Sequence, residues 1–239
     1  MRRRGLVVST ALFACGAAAD PPAPADPAAH RAAASAAAPA PGAAPAAKAD
    51  EAAGLRITLA HDSAPEEETR RQLLRLAREH DLSPWLLTKA VSVDEAAIPH
   101  SHPVLTLHTR HLRDDDQLLS TFVHEQMHWH LDGRPGEKAA AVAELRSLFP
   151  KLPVGFPEGA KDEPSSYEHL LVIFLEYEGL KSLVGARRAD QTFDFWKGDH
   201  YRALYGLVHA DPAAIERVAR KHALFPVVAS AAGRGRAGR

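Results

Sequence analysis

Two histidines four residues apart, His124 and His128, lie inside a stretch from Asp114 to Leu131 that holds neither proline nor glycine. Residues four apart share one face of a helix, so both imidazoles can reach a single point in space. Glu125 stands next to the first of them. Leu118, Leu119, Phe122, Val123 and Met127 give the same stretch an apolar side. Asp114, Asp115 and Asp116 suit its beginning, as cap and as negative charge at the positive end of the helix dipole. A mostly apolar helix does not carry two histidines and a glutamate without partners for them, because lone buried polar groups cost free energy. The pattern therefore predicts a buried helix presenting two metal-ligand nitrogens and one carboxylate.

The wording around this pentapeptide resembles that of the zincin metallopeptidases. Thr121 stands three residues before the first histidine, and Phe122, Gln126, Met127 and Trp129 are uncharged, as that family prefers. His130 departs from it, at a position that is usually apolar. The longer metzincin pattern is absent: Leu131 stands where its glycine belongs and Arg134 where its third histidine belongs. The resemblance is thus to gluzincin-like members, in which the third ligand comes from farther along the chain. It implies Zn2+ as cofactor, His124 and His128 as two of its ligands, Glu125 as general base, and a peptide or protein as substrate. It also implies an α+β, zincin-like fold with a small N-terminal sheet followed by a helical C-terminal half.

The residues themselves fit that order. Leu55–Leu59 alternates as a strand does. Ala64–His80 reads as an amphipathic helix, with Ser63 as cap, Pro65 in the first turn and Glu66, Glu67 and Glu68 at its positive end. Trp85–Val93 and Val104–Thr109 read as a second and a third strand, and the motif helix follows at once. By the resemblance, Val104–Thr109 is the sheet edge that faces substrate; an interior strand is the alternative. Four helical segments follow, at 136–148, 165–183, 199–209 and 212–222.

A catalytic zinc needs three protein ligands and one open position. The very apolar segment around 167–177 is the best source of the third. His169 and Glu176 lie seven residues apart, on one helical face. Imidazole is the commonest ligand of such sites, which favours His169. Glu176 is then either an alternative ligand or the carboxylate that accepts the outer ring N–H of His124. Glu144 is a weaker candidate. Asp199, His200 and Tyr201 open a further helix in this reading, and His200 or Tyr201 could donate to an oxyanion. Their plainer role is as polar residues at a helix start.

The two ends read differently. Arg2, Arg3 and Arg4 precede a short apolar run, Gly5–Ala14, and then Cys15, the only cysteine. This pattern resembles a bacterial signal peptide with a lipobox at residues 1–15, and implies export and membrane attachment through a lipidated Cys15. Plain signal cleavage after Ala17–Ala19 is the alternative, giving a soluble periplasmic or secreted protein. One cysteine allows no intrachain disulfide and no thiolate metal site. Residues 16–53 are rich in Ala and Pro and read as a disordered linker, and 227–239 as a disordered tail. Residues 54–226 remain as one metallohydrolase domain. They carry 21 basic and 26 acidic residues, a net −5, with no basic stripe for nucleic acid. Two other functions stay open: a non-enzymatic envelope lipoprotein using the fold as a binding or structural module, and zinc storage or sensing by the histidines from His100 to His111.

Overall fold

Local capping decides where the first helix starts, and the sheet is organised around it. In the computed structural model, which describes residues 53–226, strand β1 (Arg56–Leu59) leads into helix α1 (Ala64–Glu79). The Ser63 side chain accepts from Glu66 N and Pro65 occupies the first turn. Strand β2 (Ala90–Val93) returns parallel to β1, and β3 (Leu105–Leu107) lies parallel to β2, giving the order β1-β2-β3. Helix α2 (Asp115–Asp132) carries the motif, and five more helices follow: α3 (Pro135–Leu148), α4 (Glu163–Val184), α5 (Ala186–Asp199), α6 (Arg202–Ala210) and α7 (Pro212–Lys221). The class is α+β, with a small sheet before a helical half. The signal segment, the linker up to residue 52 and the tail lie outside the described residues. Among those described, no helix is long and apolar enough to cross a membrane.

Three expectations need correction. The strand expected from Trp85 begins only at Ala90; Ser83–Trp85 is a single 3-10 turn instead. Gln126 is the reason. Its Oε1 accepts from Leu87 N (2.8 Å) and Thr88 N (2.9 Å), and its Nε2 donates to Thr88 O (2.8 Å), so this backbone is bonded to α2 rather than to a strand. Helix α5 was not expected at all. The helix expected to open at Asp199 does not: Asp199 ends α5, His200 is extended, and Tyr201 caps α6 in the left-handed region at φ 48°.

The third correction concerns the sheet edge. β3 ends the strand order, yet its outer side is already bonded. His100 N donates to Thr106 O (3.1 Å) and Thr106 N donates to His100 O (2.8 Å), in an antiparallel bridge. β3 is thus the edge of the three-stranded sheet, as expected, but residues 98–101 cover it at Thr106.

α4 is the centre of the helical half. It is buried along Tyr167 and Leu170–Tyr177 and packs against α2, α3, α5, α6 and α7. A helix apolar on nearly all sides is stable only in such a place. Gly179 lets α2 and the 83–85 turn approach it closely: a Cβ there would meet Val123 Cγ1 at 2.8 Å and Trp85 at 3.2 Å. Gly206, inside α6, has nothing within 4 Å of such an atom.

These two glycines should respond oppositely. Removing a helical glycine gains about 0.5–1 kcal/mol, but overpacking costs about 1–3 kcal/mol. Gly206→Ala is expected to raise the unfolding free energy, whereas Gly179→Leu lowers it by about 1–3 kcal/mol, as read from urea denaturation.

Candidate metal centre and cleft

α2 and α4 together bring three imidazoles to one place. His124 and His128 come from α2 and His169 from α4, and one potential ligand atom from each lies within 4.8 Å of the other two. The rings sit 5.2 Å (His124–His128), 5.7 Å (His124–His169) and 4.9 Å (His128–His169) apart.

One nitrogen of each ring is already taken. His124 Nδ1 lies 2.8 Å from Glu176 Oε2, His128 Nδ1 lies 3.4 Å from Glu168 Oε1, and His169 Nδ1 lies 2.8 Å from Ser165 O. An acceptor at Nδ1 fixes the proton there and leaves Nε2 as the donor atom to a cation. Burial holds His124 well below its ordinary pKa and pushes His169 down to about 4, with His128 adding to both effects. Three imidazoles, each with an oxygen at Nδ1 and with Nε2 left over, are a donor set that zinc takes. The residues fit the ion.

Glu176 is fully buried, at 0% exposure. Its Oε1 accepts from Ser120 Oγ and its Oε2 accepts from Tyr205 Oη at 3.0 Å. Burial nevertheless pushes this carboxyl up to about 8, and Glu125 adds to the rise. A dication beside His124 reverses that sense and favours the carboxylate. The outer carboxylate on His128 differs. Glu168 is held down to about 2 by His128, against burial and with help from Lys138. Lys138 Nζ donates to Glu168 Oε2 at 3.3 Å.

Glu125 follows His124 on α2 and lines the adjoining cleft. Burial pushes it up to about 7, with His128 opposing. Its carboxyl forms no hydrogen bond with the described residues. It is a base near neutrality that no other side chain occupies.

The cleft holds about 670 Å³, a volume typical of small-molecule and peptide sites. Ile98–Ser101, the α5–α6 joint and the loop containing Phe156, Gly159 and Ala160 form its walls. At the joint, His200 and Tyr201 reach into it. The Tyr201 ring lies tilted 4.5 Å from that of His169 and stacked 6.4 Å from that of His124. A tyrosine in the left-handed region costs of order 1–3 kcal/mol; here the strain turns its ring toward the histidines. His200 Nδ1 bonds Asp199 Oδ2 (2.7 Å), and Arg110 donates to Asp199 Oδ1 (2.7 Å). Burial lowers the His200 pKa, opposed by Asp199.

Other candidates fall away. Glu144 accepts from Lys221 (2.8 Å) and His222 (2.9 Å), tying α3 to α7. Among the described residues, the histidines from His100 to His111 belong to no group of three whose potential ligand atoms lie close together. His100 bonds Ile98 O, His108 accepts from Arg110 N, His111 bonds Gln117, and His102 stacks on Trp129. Sequence reasoning missed Glu168, Ser120 and Arg110, and the bond from Tyr205 to Glu176. Glu168 adjoins His169 in sequence and could have been weighed. The rest needed the packing of α5 and α6. Compared with protein families, with curated proteins and with solved structures, the chain matches none.

Zinc titration against a chromophoric chelator separates these roles. Glu176→Gln should weaken binding about 10–100-fold, the usual cost of losing the carboxylate behind a ligand histidine. His169→Ala should weaken it further, and Glu144→Gln should leave it unchanged.

Proposed function

We propose that this chain is a zinc-dependent hydrolase of zincin-like fold that cleaves peptide bonds. The convergence of His124, His128 and His169 beside an unoccupied base, Glu125, carries this reading. These three histidines would hold the ion. When bound, zinc supplies Lewis acidity and brings the pKa of water down to about 7. The adjoining cleft and the uncommitted Glu125 favour a catalytic site over a closed structural one, which would use four protein ligands.

The chain's own residues then divide the work. Glu125 takes the proton of the attacking water and hands it to the departing amine. His200 and Tyr201 stand where a donor can stabilise the oxygen of the attacked carbonyl. Asp199 holds His200 by Nδ1, so Nε2 is the nitrogen left for that task. Ile98–Ser101 receives substrate as an added strand. His100 spends both main-chain groups on Thr106. The pleat therefore turns the Pro99 carbonyl and the Ser101 N–H away from β3. In this reading the chain acts outside the cytoplasm, anchored through Cys15 or released by signal cleavage.

Glu125→Gln should keep one zinc per chain and lose at least about 10²-fold in kcat on an unfolded protein substrate, the usual contribution of a general base. Wild-type turnover in that variant contradicts the role. In the wild type, kcat/KM should fall as pH drops and Glu125 takes up a proton. This limb lies at or below pH of about 7, because a nearby cation favours the carboxylate.

A further inference from the structure

Two large apolar side chains at the cleft point into solvent. Ile98 and Phe156 are each 82% exposed, and both line the cleft that adjoins the three histidines. Single exposed hydrophobics are ordinary. These two differ because the backbone carrying each is held firmly in place.

On the Ile98 side, His100 is bonded twice to Thr106. Trp129 Nε1 donates to Ser101 O at 2.8 Å, and His102 stacks on the same indole at 4.1 Å. On the Phe156 side, Val154 and Ala160 pair as a bridge. Ser166 Oγ accepts from Ala160 N (3.1 Å) and donates to Pro153 O (2.8 Å). Gly159 approaches the opposite backbone so closely that a Cβ would lie 2.0 Å from Pro153 O. The loop also closes the start of α6, where Arg202 N donates to Pro157 O (3.0 Å) and Ala203 N to Glu158 O (3.2 Å). Phe156 is thereby tied to the joint that carries His200 and Tyr201.

We propose that Ile98 and Phe156 form an apolar recognition site at the cleft mouth, selecting polypeptide segments with a bulky apolar side chain near the bond to be cut. The inference rests on the hydrolase reading. Rigid presentation removes the ordering cost that a slack loop would impose on binding. An extended polypeptide is the occupant that suits this place. Beside Ile98, the Pro99 carbonyl and Ser101 N–H offer one acceptor and one donor, which a peptide backbone satisfies and a lipid chain does not.

The test uses the zinc-loaded full chain and a random-sequence peptide mixture, with cut sites read by mass spectrometry. Leu, Ile, Phe and Met should be enriched within two residues of the cut. In a single defined substrate, replacing that residue by Ser should lower kcat/KM about tenfold or more. Phe156→Ser and Ile98→Ser should each narrow this gap, mainly through KM, with zinc content and melting temperature unchanged. Cleavage without apolar preference overturns this proposal and leaves the hydrolase reading standing. So does a preference that survives in both variants, including the case where they instead lose binding to phosphatidylglycerol vesicles or lose self-association. A zinc-loaded wild type that cuts nothing in the mixture rejects the hydrolase reading and this inference with it.

Discussion

One buried carboxylate gathers the helices that make the site. Glu176 of α4 bonds His124 and Ser120 of α2 and Tyr205 of α6, and Trp196 of α5 donates to the same Ser120 at 2.9 Å. A carboxyl group at 0% exposure is costly unless its oxygens are satisfied. Three side chains meet that need here, and so fix α2, α4 and α6 against one another. The His124 ring is aimed as a consequence. His169, two helical turns before Glu176, then meets it from the same face of α4. The close approach at Gly179 allows this packing one turn farther along.

Around that fixed point the chain places its irregular backbone where chemistry is expected. The left-handed Tyr201 breaks the path between α5 and α6, and puts two ring side chains in the cleft in succession. Strain of this kind persists only where the surroundings hold it. Here the 153–161 loop satisfies the first free N–H groups of α6, and Arg110 grips Asp199 from the sheet side. The cleft walls thus come from both halves of the fold, with α2 and α4 contributing the three histidines.

Much of this was legible in the sequence because it depends on local signals. The motif helix was expected from Asp114 to Leu131 and runs from Asp115 to Asp132, with Asp114 as its cap. Ser63 and Pro65 fixed the start of α1. The seven-residue spacing of His169 and Glu176 placed both toward α2. What the sequence hid depends on distant partners. Gln126 reaches across to Leu87 and Thr88 and removes half of an expected strand, and no periodicity announces that. His100 folds back over β3 through backbone bonds to Thr106, and Trp129 holds the next residue from α2. α5 was a different omission. Ala189, Thr192, Phe193 and Trp196 are buried at helical spacing, so its signal was present, but its many charged residues obscured it.

X-ray absorption at the zinc edge, on protein loaded with one equivalent of metal, tests the central claim most directly. The account predicts a four-coordinate ion with three imidazole nitrogens at about 2.0–2.1 Å and one further light atom. That signature should lose one imidazole in His169→Ala. A site with fewer than three imidazoles in the wild type, or one unaltered by that substitution, contradicts it.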